Sequence, residues 1–179
     1  DVGYSHWLLA KAAGAQHYDI GAGHVDSLSF QPLADVDQPS ERAWATGWLE
    51  MLLELQGVLV TPQHRIRVDR ALSLLGREPR EFRTITELTV QLQDSPMADA
   101  LKPYTVGGSY GRLLDASQDA VGKGRYQVFE LRALMDMDDK ILVPTLLYLF
   151  RRVERQLDGS PTLIVIEELW APLMRTVFA

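Results

Sequence analysis

The segment Thr162-Leu163-Ile164-Val165-Ile166 runs five residues without a charged or amide side chain, and four of the five are aliphatic. A strand with one solvated face alternates apolar and polar residues, so an unbroken β-branched run fits a parallel strand covered on both faces. Parallel neighbours require a crossover, usually a helix, and the chain supplies one. Residues 126–131 read as a strand, and Asp138-Asp139 then open a long helix at its positive dipole end. An apolar stretch over 141–150 fills that helix, and Arg151, Arg152 and Arg155 complement its negative end. Asp158-Gly159-Ser160-Pro161 turns the chain into the apolar run. Strand, helix, strand is the βαβ unit of an α/β domain.

The remainder divides by its punctuation. Trp7-Leu8-Leu9-Ala10 reads as a short helix stopped by Gly14, and Tyr18-Asp19-Ile20 and Leu28-Ser29-Phe30 as short extended segments around a Gly21-Ala22-Gly23 turn. From Asp37 the pattern becomes helical. Pro39 opens one helix, with Trp44, Trp48, Met51, Leu52 and Leu55 at three-and-four spacing and Gly57 closing it. Thr61-Pro62 starts a second that carries Ile66, Val68, Leu72 and Leu75 up to Gly76. Thr84 with Glu87 forms a capping box for a third, and Ser95-Pro96 begins a fourth through Met97 and Leu101. Residues 103–124 are rich in turn formers and read as loop.

Several function classes fall away at this stage. The chain has no cysteine, which removes disulfides and thiolate metal sites. His6, His17, His24 and His64 show no i, i+4 pair or HExxH pattern, so no zinc site is expected. A net charge of -6 gives no overall attraction to nucleic acid, although Arg65, Arg67, Arg70, Arg77, Arg80 and Arg83 make the helical block locally basic. No stretch approaches the roughly 20 apolar residues of a membrane helix. Trp44 and Trp48, one turn apart, are read as a packed helix face rather than a base-stacking platform.

Chemistry concentrates at Glu167-Glu168, directly after the apolar run. Open parallel sheets bind ligands outside the carboxyl ends of their strands. A nucleotide-triphosphate motor needs two acids there: one to hold Mg2+ through its water shell, the other to orient or deprotonate the attacking water. Glu167 fits the first role and Glu168 the second. The alternative is that the pair only marks a polar strand end.

The segment Pro161-Thr162-Leu163-Ile164-Val165-Ile166-Glu167-Glu168-Leu169-Trp170-Ala171-Pro172 resembles the Walker B region of the type IV secretion and conjugative-transfer ATPases, in particular their TrbE branch. Other blocks agree in order: Phe30-Gln31-Pro32-Leu33, Leu101-Lys102-Pro103-Tyr104, Tyr110-Gly111-Arg112-Leu113-Leu114-Asp115, Val128-Phe129-Glu130-Leu131 and Pro144-Thr145-Leu146-Leu147-Tyr148-Leu149. Glu167 departs from the more common Asp at its position, and with the extra methylene the metal-side carboxylate is displaced or must fold back. The resemblance implies a partial RecA-like P-loop NTPase domain, a parallel sheet flanked by helices with an inserted helical subdomain. It divides the chain into NTPase core over 1–36, insertion over 37–104 and core again over 105–179.

The resemblance also implies ATP and Mg2+ as cofactors, a homo-hexamer, secretion-channel components as partners and DNA or protein as cargo. The implied location is the bacterial cytoplasm, peripheral to the inner membrane. A G-x-x-x-x-G-K-[ST] phosphate loop is absent: Gly122-Lys123 is followed by Gly124. The chain is therefore expected to be a piece of such a motor, without hydrolysis of its own. Lys123 and Arg125, in a loop before a strand, are candidate cations acting in trans on a neighbouring subunit's nucleotide. The rival expectation is a non-catalytic protein-interaction domain of a secretion or DNA-transfer assembly.

Overall fold

The computed structural model describes residues 3–21, 28–93, 95–122 and 124–167. In chain order the elements are α1 (Trp7–Ala12), β1 (Gln16–Asp19), α2 (Pro39–Leu55), α3 (Pro62–Leu75), α4 (Ile85–Leu92), α5 (Pro96–Leu101), α6 (Gly111–Leu114), β2 (Gln127–Glu130), α7 (Arg132–Met135) and α8 (Asp139–Gln156). They group into two compact units, one from 29–120 and the other from 1–28 with 121–179. The helical unit is thus wider than the expected 37–104.

In the helical unit the caps dictate the boundaries. The Thr61 hydroxyl accepts from the His64 amide at 3.3 Å while His64 Nδ1 accepts from the Thr61 amide at 3.3 Å, a reciprocal box that starts α3. Thr84 and Ser95 accept from the Glu87 and Ala98 amides and start α4 and α5. The apolar faces converge on Leu49, Leu52, Leu53, Val68, Leu72, Leu75, Leu88, Met97 and Leu101, all buried. Trp48 is buried there with the Trp44 ring stacked on it, as a packed face requires. Ile66, expected on that face, is instead exposed: it lies opposite Val68 and Leu72 on the helix surface.

Two departures in this unit share a cause. Leu28-Ser29-Phe30 forms no strand; the Phe30 amide donates to the Leu113 carbonyl at 2.7 Å and its carbonyl accepts from Ala116 at 3.0 Å. Its backbone is satisfied by a distant turn instead of a ladder. That turn includes α6, inside the segment expected to be all loop. Gly111 makes the turn feasible, since a Cβ there would lie 1.9 Å from the Thr105 carbonyl oxygen. Asp115 then closes it onto α4: Oδ1 accepts from the Ile85 and Thr86 amides at 2.5 and 3.1 Å, and Oδ2 from the Val106 amide at 2.8 Å and from the Thr86 hydroxyl. A carboxylate at a helix start meets both the unpaired amides and the positive dipole end.

In the other unit β1 and β2 pair in parallel, with Gln16 opposite Gln127 and Asp19 opposite Glu130. Tyr18 and Phe129 face each other across the ladder with rings stacked 5.3 Å apart. After β2 comes α7, a single turn that was not expected, and then α8, started by the Asp138 carboxylate on the Lys140 amide at 2.7 Å. Ile141, Leu142, Val143, Leu146, Tyr148 and Leu149 supply its buried face. Arg152, read as a dipole partner, donates to the Val121 carbonyl at 2.6 Å.

The largest correction concerns the apolar run expected to be a strand. Residues 161–166 form no strand, and the described residues contain a two-stranded sheet without them. Leu163 is 87% exposed and Val165 67%. A strand buried on both faces needs a neighbouring strand and two covering layers, and the described unit offers none of these to the run. The architecture is mixed α/β with a small parallel sheet.

Candidate functional site

Because β1 and β2 run parallel, their carboxyl ends lie on the same edge of the sheet, where open α/β folds collect ligands. Asp19 ends β1 and Glu130 ends β2, in register with each other. Two acids so placed would repel if both faced one another without partners, and each has a different partner. The Glu130 carboxylate is fully buried and receives three backbone amides: Gly3 at 3.0 Å and Arg132 at 2.9 Å on Oε1, and Tyr4 at 2.6 Å on Oε2. Asp19 Oδ2 accepts the Tyr4 hydroxyl.

Residues 3–6 therefore form a strap across the ends of both strands. Gly3 and Tyr4 have φ of +81° and +59°, the left-handed region that aims two successive amides at one anion. Tyr4 reaches this conformation without the freedom of glycine, and Glu130 and Asp19 hold it there from its amide and its hydroxyl. Its ring also stacks on His17, two residues from Asp19 on the same strand face, at 5.9 Å. The hydrogen bond to Asp19 raises the Tyr4 pKa above the ordinary phenol value, with burial and the charges of Asp19 and Glu130 acting in the same direction.

The strap carries the expected metal-side acid. The Ser5 hydroxyl donates to Glu167 Oε2 at 3.1 Å, and His6 Nδ1 lies 3.2 Å from Glu167 Oε1. His6 Nδ1 is also 3.2 Å from Ser5 Oγ. A serine, a histidine and a carboxylate in mutual contact suggest a hydrolytic triad, but a relay needs the acid and the hydroxyl on opposite ring nitrogens, and here both meet Nδ1. The contacts orient the Glu167 carboxylate instead.

Glu168 and Lys123 lie outside the described residues. Arg125 is exposed just before β2, at the amino-terminal edge of the sheet and so opposite the edge that carries Asp19 and Glu130. Sequence reasoning passed over Tyr4, Ser5, Asp19 and Glu130. The available signal was an acid at the end of each predicted strand, which in a parallel pair means one shared edge.

Among the described residues no group of three or more acidic or histidine side chains could hold a metal ion. Mg2+ is commonly held by one or two carboxylates through water beside substrate phosphates rather than by an all-protein cage. Asp19 Oδ1, buried and without a hydrogen-bond partner, is a further hard oxygen at this edge. The donor set thus suits a hard cation. The basic character of the helical unit is weaker than its arginine count suggests, because Arg65 pairs with Glu50, Arg80 with Asp35 and Arg83 with Asp37. No helix among the described residues is long and apolar enough to cross a membrane.

No family model matches the chain. Curated relatives do. A protein of Sinorhizobium fredii (strain NBRC 101917 / NGR234), named as the second portion of a "Probable conjugal transfer protein TrbE", is 43% identical over 181 residues, covering 99% of this chain and 27% of that protein. "Conjugal transfer protein TrbE" of Rhizobium radiobacter is 40% identical over 183 residues, covering 99% of this chain and 22% of that protein. "Type IV secretion system protein virB4" of Bartonella henselae is 23% identical over 171 residues, 93% of this chain and 21% of that protein. The chain spans about a quarter of the length of the curated relatives it matches.

Proposed function

We propose, from a chain whose relatives over nearly all of its length are conjugal transfer proteins named TrbE, that these residues form part of an ATP-hydrolysing motor that energises conjugative DNA transfer or type IV secretion. The observation that carries the reading is the acidic carboxyl edge of the parallel pair, with Asp19 and Glu130 in register and Glu167 tied to the strap that crosses them. A RecA-like P-loop NTPase core, with the helical unit inserted in it, places its nucleotide at such an edge.

In this reading Glu167 holds Mg2+ through bound water, and Glu168 orients and deprotonates the attacking water. Mg2+, when bound, neutralises the charge that develops on the phosphate oxygens. Arg125 and Lys123 serve a neighbouring subunit, since the edge on which Arg125 lies is not the acidic one. The working form is a homo-hexamer on the cytoplasmic face of the bacterial inner membrane, joined to secretion-channel components, with DNA or protein as cargo. Without a G-x-x-x-x-G-K-[ST] loop the 179-residue chain has no backbone cradle for phosphate and hydrolyses no ATP by itself.

Glu168→Gln in the complete gene product tests this. Turnover falls by roughly a hundredfold or more, as loss of a general base requires, while nucleotide binding persists. Unchanged turnover defeats the motor reading. A non-catalytic interaction domain is the second reading, and the exposed run at 163–166 supports it. Complete gene product that binds secretion components yet shows no ATP turnover would favour it.

A further inference from the structure

The acidic edge contains a chain of contacts that the proposed chemistry does not use. It begins at Glu130, which is fully buried and spends both carboxylate oxygens on the amides of Gly3, Tyr4 and Arg132. It continues through Tyr4, fixed in a left-handed conformation and bonded to Asp19. It ends at Ser5 and His6, which contact the two oxygens of Glu167 separately. Glu130 and Glu167 are distant in sequence, and the strap is what couples them.

We propose that Ser5 and His6 are positioning residues for the Glu167 carboxylate, and that the strap at residues 3–6, seated on Glu130, sets how that carboxylate meets a hard cation. This rests on the role assigned to Glu167 above. The physical need follows from the residue itself. Glutamate has three side-chain torsions, one more than aspartate, so an unrestrained Glu167 spreads its carboxylate over many rotamers. A hydroxyl donor on Oε2 and a ring nitrogen on Oε1 select one of them. The pair does for the longer acid what a shorter side chain would do through its own stiffness.

Neither contact takes from Glu167 what a water-mediated cation needs. Each carboxylate oxygen accepts more than one hydrogen bond, so Glu167 retains acceptor capacity for water in the cation's shell while Ser5 and His6 stay in place. Hydrogen bonds that orient a ligating side chain typically govern metal affinity by about 10–100-fold, and a carboxylate that acts through water falls at the low end of that range.

The experiment is equilibrium binding of Mn2+, as a spin-active stand-in for Mg2+, to the complete gene product with a non-hydrolysable ATP analogue present, read by electron paramagnetic resonance. Ser5→Ala and His6→Ala each raise the Mn2+ dissociation constant by about 10-fold. The Mg2+ concentration for half-maximal ATP turnover rises in parallel, and kcat at saturating Mg2+ falls much less. Ser5→Thr, which returns a hydroxyl, restores the parent affinity. Should Ser5→Ala and His6→Ala bind Mn2+ as the parent does while Glu167→Gln weakens it, the positioning role is wrong and the role of Glu167 survives. Should Glu167→Gln itself leave Mn2+ binding unchanged, the role of Glu167 fails, and positioning with it.

Discussion

Replacing Asp115 by Asn changes one atom in a side chain only 5% exposed, and the cost can be worked from its partners. Oδ1 serves the Ile85 and Thr86 amides, and Oδ2 serves the Val106 amide and the Thr86 hydroxyl. The asparagine oxygen best stays on the two helix amides, which turns its NH2 toward Val106. The Thr86 hydroxyl can rotate to accept from that NH2, whereas the Val106 N–H cannot. The Val106 N–H then loses Oδ2 and keeps only the Thr86 hydroxyl oxygen at 3.0 Å, a loss of about 0.5–1.5 kcal/mol. Losing the negative charge at the start of α4 adds about 0.3–1 kcal/mol. For a chain of this size each kcal/mol moves Tm by about 2–4 °C, so the fall should be about 3–8 °C. Scanning calorimetry of Asp115→Asn against the parent at pH 7 measures it, and hydrogen exchange should show the Val106 amide losing protection. A Tm within about 1 °C of the parent would refute the capping argument.

Tyr4 gives a pH prediction. Its raised pKa means the folded state favours the neutral phenol, so its contribution is whole below the ordinary value of about 10 and is lost as pH rises through the higher folded value. Phenolate absorbance of the parent minus that of Tyr4→Phe should titrate above the ordinary value; a difference curve at or below that value contradicts the bond to Asp19. The exposed run predicts self-association of the 179-residue chain, relieved by the pair Leu163→Lys and Val165→Lys. Light scattering that finds parent and variant equally monomeric at high concentration removes that expectation.

Local chemistry was the legible portion of the sequence. Thr61-Pro62, Thr84 and Ser95-Pro96 mark helix starts through bonds that span three residues, and α3, α4 and α5 begin where those residues place them. The strand before α8 was equally local. What escaped depended on partners far along the chain. Phe30 was read as extended because Leu28-Ser29-Phe30 follows a glycine turn in the pattern of a short strand, but its backbone belongs to Leu113 and Ala116. The reciprocal box at Thr61 was not legible because His64 stands where a capping box usually has Glu or Gln.

The site divides in the same way. Glu167 was visible from the apolar run before it, although that run forms no strand among the described residues. Ser5 and His6 contact it across roughly 160 residues, a pairing that no local spacing encodes. Glu130 looked like an ordinary strand residue until the parallel register set it opposite Asp19.

The hydrogen bond from the Ala120 amide to the Ser29 carbonyl, at 3.0 Å, bears on the order in which the chain assembles. In an unfolded polymer β1 and β2 must find each other across a tether of roughly a hundred residues. Once the helical unit has folded, its two ends are pinned together and the effective tether shrinks to roughly seventeen residues, lowering the closure entropy by about 1.5 kcal/mol. Helix formation in the middle of the polypeptide should thus precede strand pairing at its flanks, and slowing the first step should delay the second.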